Sequence, residues 1–198
     1  MIAVARKIAF DYDRAVDAAT TLFWANGYVD TGLRDLLKAM GIGEGSFYNT
    51  VGSKKNLYLV CLRRYEDTVI ADRLRALAEP PTAAEGVRAF FGAILDCLDD
   101  PATPSRLCML AAMSTEEVLA EPDLRTRADE AIATLRTALH DRVTADLDAG
   151  ALTAPVDPTA VAAIITTYVQ GLWRVALVSY DRAEFERQIE ALLTTLGL

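Results

Sequence analysis

Catalytic and metal chemistry is thinly supplied in this sequence. It holds one histidine, His140, and three cysteines, Cys61, Cys97 and Cys108. No Cys-x-x-Cys pair occurs and no cysteine neighbours His140, so no structural zinc is expected. With a single imidazole, no Ser/His/Asp, Cys/His or carboxylate–histidine set can be assembled, and neither catalytic residues nor a cofactor is expected. The denser chemistry lies between Thr31 and Lys55. Hydroxyls stand at Thr31, Ser46, Tyr48 and Thr50, an amide at Asn49, cations at Arg34, Lys54 and Lys55, and glycines between them. Hydroxyls and cations suit phosphate oxygens, an amide suits a base edge, and Glu44 can accept from a cytosine amine. Glycine at 45 lets a backbone approach another surface closely.

These groups need elements to hold them, and the apolar spacing supplies helices throughout. Val16, Ala19 and Phe23 share a face of a first helix over about 13–26, ended by Asn26 and Gly27. Leu33, Leu36, Leu37 and Met40 stripe a second, capped by Thr31 and stopped by Gly41. Gly43 permits a tight turn, and a short third helix starts near Glu44 with Phe47 and Val51 inward. Its other face carries Glu44, Gly45, Ser46, Tyr48, Asn49 and Thr50. Two short helices about a glycine turn form a helix-turn-helix, whose second helix fits a DNA major groove. On spacing alone a plain αα-hairpin is an equal alternative, Tyr48 can be a packing residue, and Arg34 with Lys38 can be a solvated face. Ser53 caps a long fourth helix, about 53–78, placing Lys54 and Lys55 at an end where cations are unfavourable unless a phosphate sits there.

Further helices follow from Val87, Phe90, Phe91, Ile94, Leu95 and Leu98, and from Leu135, Leu139, Val143 and Leu147 in a helix begun near Pro122. Two more run over about 157–180 and 182–196. The expected fold is all-α, with about nine helices. An apolar fraction of 52% over 198 residues excludes a wholly disordered chain. The net charge of -8 is unevenly placed. Residues 1–56 hold seven basic and six acidic groups, a net +1, against -9 in the rest. The head is therefore the part compatible with nucleic acid. Arg6 and Lys7 are followed by Asp11 and Asp13 without an apolar run, so no secretory signal is expected. The longest uncharged run, 158–173, contains Thr159, Thr166, Thr167 and Gln170 and is short for a membrane span. A cytoplasmic protein with reduced thiols and no membrane partner is expected.

Ala19 to Tyr28 (A-x-x-L-F-x-x-x-G-Y) and the unbroken stretch from Thr31 to Tyr58 resemble the tetracycline-repressor (TetR) family of bacterial regulators. The likeness covers about residues 11–58. It implies phosphate contacts at Thr31, Ser46, Tyr48, Thr50 and Lys54, and base edges facing Glu44, Gly45 and Asn49. Arg34 and Lys55 join this candidate surface. Glu44 departs from a common lysine and Val51 from the usual phenylalanine, which puts operator choice in question more than the fold.

The same resemblance implies a head over 1–56 and a ligand-binding and dimerisation body over 57–198. Candidate pocket residues are Phe90, Phe91, Cys97, Cys108, Met109, Met113, Tyr168 and Trp173, each of which can equally be plain core. The last two helices are apolar on several faces, and Val161, Ile165, Tyr168, Leu172, Phe185, Ile189 and Leu192 are expected at a two-fold interface. Such a dimer would set two recognition helices one DNA turn, about 34–36 Å, apart. Cys108 would sense electrophiles if Arg106 activates it, and is otherwise a small buried hydrophobe. Glu116, Glu117, Glu121 and Asp123 read as a solvated acidic face. The expected function is a homodimeric repressor on double-stranded operator DNA, released by a small-molecule effector. A thiol- or partner-responsive regulator, and a helical-bundle enzyme or carrier, are the alternatives.

Overall fold

The computed structural model describes residues 11–152 and 155–198, and Arg6 and Lys7 lie outside them. Among the described residues there are nine α-helices and no strand. Helix α1 is Tyr12–Asp30, α2 Leu33–Met40 and α3 Glu44–Val51. Helix α4 joins Lys54–Tyr65, a π turn at Glu66–Ile70, and Ala71–Ala78 into one rod. Then come α5 (Ala83–Asp99), a 3₁₀ turn (Ala111–Met113), α6 (Glu116–Leu119), α7 (Pro122–Asp148), α8 (Pro158–Val178) and α9 (Arg182–Leu196).

Local chemistry places most of these boundaries. Asp11, Ser53, Thr82, Thr115, Asp157 and Asp181 each accept a backbone N–H in the first turn of the helix they precede. Thr82 and Glu85 form a reciprocal capping box. Pro122 and Pro158 sit in the first turn, where their missing N–H costs nothing. Gly27, at φ 77° and ψ 177°, breaks α1 near its end, as Asn26–Gly27 suggested. The expected Thr31 cap is not found. The chain enters α2 extended through Gly32, so the cap shifts by one residue. Thr31 turns inward, 1% exposed, and its Oγ1 donates to the Gly27 carbonyl at 2.6 Å.

Helices α1–α4 enclose a head core of Val16, Ala19, Phe23, Leu36, Phe47, Leu57 and Tyr58. The Phe23 and Tyr58 rings meet edge to face at 4.9 Å. In the body, α5 packs on the last turns of α4 and is flanked by α7 and α9, while α7 lies along α8. Arg88 forks onto Glu190 at 2.7 and 3.0 Å, lacing α5 to α9. The 100–115 segment ties head to body: Trp24 Nε1 donates to the Leu107 carbonyl at 3.1 Å, and Arg174 to that of Ala111 at 3.1 Å. A rod shared by both parts, α4, therefore carries the head at one end and packs into the body at the other.

Candidate functional site

The turn between α2 and α3 is built by two glycines. Gly41 adopts φ 68°, a left-handed cap, and the Ile42 N–H reaches back to the Leu37 carbonyl at 3.1 Å. Gly43 is extended, and its carbonyl accepts from Phe47 N at 3.0 Å to start α3. Phe47 and Val51 are buried, which turns Glu44, Gly45, Ser46, Tyr48, Asn49 and Thr50 outward, all exposed. Tyr48 is 49% exposed and leans edge-on against Phe47 at 5.5 Å, so packing takes only part of its ring. Arg34 and Lys38 are exposed on α2 and make no ion pair among the described residues.

The cations at the start of α4 separate. Lys54 Nζ lies 4.7 Å from the Tyr28 ring centre and donates to the Val29 carbonyl at 3.3 Å. Partial burial lowers its pKa below the usual lysine range, with Asp30 pulling the other way. Lys55 instead faces the body, pairing with Asp123 at 2.8 Å and Glu121 at 3.4 Å. Those hydrogen bonds raise its pKa. Three corrections follow. Lys55 is held by a partner at the start of α7, so it is not a free phosphate ligand. Glu121 and Asp123 are its counter-charges and not a merely solvated face. Thr31 is likewise withdrawn from the surface, because its hydroxyl is spent inside the head.

A cavity of about 380 Å³ opens between α4, α5, α7 and α8. Of the eight expected residues, Phe90, Cys108 and Trp173 line it. Phe91, Met109 and Met113 are buried but belong to the surrounding core. Cys97 lies 3.6 Å from Thr103 Oγ1, and the Tyr168 hydroxyl donates to Gln188 at 3.2 Å with its ring against Phe91. The π turn brings Glu66, Asp67 and Ile70 to the cavity, and Arg127 pairs with Glu66 there. Arg73 also lines it, 3% exposed, and went unnoticed in the sequence. A signal existed, since Tyr65, Val69, Arg73 and Leu77 recur every four residues and only one is charged. Arg106 is not the neighbour of Cys108. Its guanidinium lies over Tyr180 at 5.6 Å, while Cys108 Sγ meets the Tyr65 hydroxyl at 3.4 Å and Arg73 Nη1 at 3.8 Å. Cys61, away from the cavity, is buried under Val16 and its thiol is pushed up to about 11. His140 is half-exposed, 3.1 Å from Asp141.

The outer helices also differ from expectation. Val161, Ile165, Leu172, Phe185 and Ile189 are buried within the subunit's own core, and Tyr168 and Leu192 are half-buried. An apolar stripe does remain outside, offset on α8: Ala160, Ile164, Thr167, Gly171, Val175 and Val178 are all exposed at steps of three and four. Among the described residues α8 is the one helix long and apolar enough to cross a membrane, and its other faces pack on the core.

Residues 15–61 match the family described as "Bacterial regulatory proteins, tetR family", and residues 83–192 match "Tetracyclin repressor-like, C-terminal domain". The chain belongs to the TetR family. It is a DNA-binding transcriptional regulator and not an enzyme. It is 27% identical over 197 residues to the HTH-type transcriptional repressor ComR of Escherichia coli (strain K12), covering 98% of this chain and 90% of ComR. It is 26% identical over 192 residues to the uncharacterized HTH-type transcriptional regulator YezE of Bacillus subtilis (strain 168), covering 96% and 98%. A cysteine-substituted form of the TetR-family regulator CifR, complexed with a 26-base-pair operator duplex, superposes with a TM-score of 0.85 at 26% identity. That alignment covers 96% of this chain and 98% of CifR. The first match spans α2 and α3, and the cavity wall from Phe90 to Trp173 lies within the second.

Proposed function

We propose that this regulator is a cytoplasmic homodimeric repressor, released from its operator by a small molecule that enters the cavity. The observation that carries the reading is the division of labour along α4. Its first turn bears Ser53 and Lys54 beside the recognition helix, and its π turn and last turns wall the cavity. A ligand that prefers one setting of α4 thereby shifts the position of the head. The name of ComR as a repressor supports the mode. The α8 stripe supports the dimer, since a second copy related by a two-fold axis would cover it and hold two heads in fixed spacing. The DNA contacts assigned are Arg34, Ser46, Tyr48, Thr50 and Lys54 to phosphates, and Glu44, Gly45 and Asn49 toward base edges. A second reading, a thiol-responsive regulator, has one observation in its favour: Cys108 lines the cavity.

The test is titration of the protein against duplex from its own promoter region at several salt concentrations. Specific binding that weakens with salt, by a log–log slope of about -0.9 per neutralised phosphate, is expected. Affinity no tighter than for an unrelated duplex would sink the reading. Gly45 gives a separate check. A Cβ there meets nothing within 4 Å among the described residues. Gly45→Ala should therefore stabilise the fold by up to about 1 kcal/mol through helix propensity. The same methyl stands where α3 is assigned its closest approach to DNA, so operator affinity should fall while the melting temperature rises. Unchanged affinity would show that α3 does not approach the groove at this residue.

A further inference from the structure

Arg73 is charged at every accessible pH, and it is buried without a counter-ion among the described residues. Its Nη1 donates to the Tyr65 hydroxyl at 3.4 Å and lies 3.8 Å from Cys108 Sγ. The guanidinium carbon sits 5.0 Å from the Trp173 ring centre. Its Nη2 has no hydrogen-bond partner among the described residues. None of the ion pairs among the described residues includes it. Of the two carboxylates that line the same cavity, Glu66 is engaged by Arg127 and Asp67 is exposed at the mouth. Both stand six or seven residues earlier on α4, roughly 10 Å along the helix axis.

A buried cation with an unused donor is costly to the empty protein, and the cost is recovered by whatever anion arrives. The rest of the wall defines that anion. Phe90, Ile94, Ile132, Leu135 and Val169 supply apolar wall beside the polar Ser114, Thr134 and Gln170, and the volume of about 380 Å³ is at the small end for ligand pockets. We infer that the effector is a small carboxylic acid with an apolar aryl or alkyl body, its carboxylate seated on Arg73 and its body against Phe90, Ile94 and Trp173. This rests on the inducer reading above and gives it a ligand class. A carboxylate matches the planar fork of arginine and carries the opposite charge, whereas a neutral oxygen can accept from Nη2 but leaves the guanidinium charge uncompensated, and a cation would be repelled. The carboxylate docks on the last segment of α4, the part beyond the π turn, so its charge acts on the rod that carries the head.

The decisive measurement is calorimetric binding to the full chain without DNA, using phenylacetate, 3-phenylpropionate and octanoate with the primary amide of each. At least one acid should bind, tenfold or more tighter than its amide, since a bidentate bond between two ionised groups is roughly twice as strong as one from the same guanidinium to a neutral oxygen. No binding by any acid at millimolar concentration, or equal binding of acid and amide, overturns the inference. Arg73→Gln and Arg73→Met should lose the acid preference, and Arg73→Met should melt no lower than wild type because it removes an unpaired buried charge. A variant that keeps the acid preference also overturns it. If neither variant folds, the acid-to-amide ratio on the wild-type chain decides. Cys108→Ser should keep acid binding. Reaction of iodoacetamide at Cys108 that releases DNA in Arg73→Gln, with no acid preference in wild type, assigns the cavity to electrophiles and overturns the proposal. An acid that binds with the stated preference yet leaves operator affinity unchanged sinks the inducer reading alone.

Discussion

Tyr48→Ala should weaken operator binding by about two to four orders of magnitude while leaving the folded protein nearly as stable as wild type. Tyr48 is half-exposed, its hydroxyl makes no hydrogen bond among the described residues, and its main internal contact is the edge of Phe47. Losing that contact costs about 0.5–1.5 kcal/mol at most. On DNA the same hydroxyl is assigned a phosphate oxygen, a hydrogen bond to a charged group worth about 1.5–3 kcal/mol. A dimer places two such hydroxyls on one operator, so the loss doubles to about 3–6 kcal/mol, which is the stated range in affinity. Lys54→Ala provides the contrast. It should weaken binding too, and it should also reduce the salt slope by about one for each head, because a released counter-ion goes with the lysine and not with the tyrosine. Wild-type affinity in Tyr48→Ala, or an equal fall of the salt slope in both variants, would remove Tyr48 from the phosphate contacts.

The contrast between those two residues reflects what was legible in the sequence. The turn and both faces of α3 were readable, because Gly41, Gly43, Phe47 and Val51 act through local geometry and spacing. Ser53 was readable as a cap for the same reason. Thr31 was misread by one position. A capping threonine and a threonine one residue earlier look alike until the chain's path through Gly32 is known. Lys55 was misread because its partners, Glu121 and Asp123, lie more than sixty residues away. Nothing local distinguishes it from Lys54. The cavity was half legible. Phe90 and Phe91 are adjacent and both buried, and only the packing of α5 decides which one meets the space. The outer face of α8 was illegible for a related reason. When a helix is apolar on every side, periodicity shows that it is apolar without showing which stripe faces its own core.

The same dependence on distant partners governs stability in the body, where Asp146→Ala should lower the melting temperature by roughly 6–20 °C. Asp146 is 4% exposed in the last turns of α7. One carboxylate oxygen accepts from the Ala83 N–H at 2.5 Å, one of the N–H groups that α5 leaves open at its start. The other lies 3.3 Å from Arg142 Nη1, and Arg142 Nη2 donates to the Pro80 carbonyl at 2.9 Å. This staple holds the 79–82 connection against α7, beside a close contact between α4 and α5. There the approach is so tight that a Cβ on Gly86 would come within 2.3 Å of the Leu77 carbonyl oxygen. Alanine at 146 leaves a largely buried guanidinium uncompensated and an N–H without its acceptor. Breaking a buried pair in this way costs about 3–5 kcal/mol, and a chain of this size loses about 2–4 °C for each kcal/mol. Asp146→Asn should fall between, since it keeps an acceptor for Ala83 and loses the charge. Removing both partners in Asp146→Ala with Arg142→Ala should recover part of the loss, because the stranded charge is then gone. A melting temperature for Asp146→Ala within a degree or two of wild type would show that the connection is held by apolar packing alone.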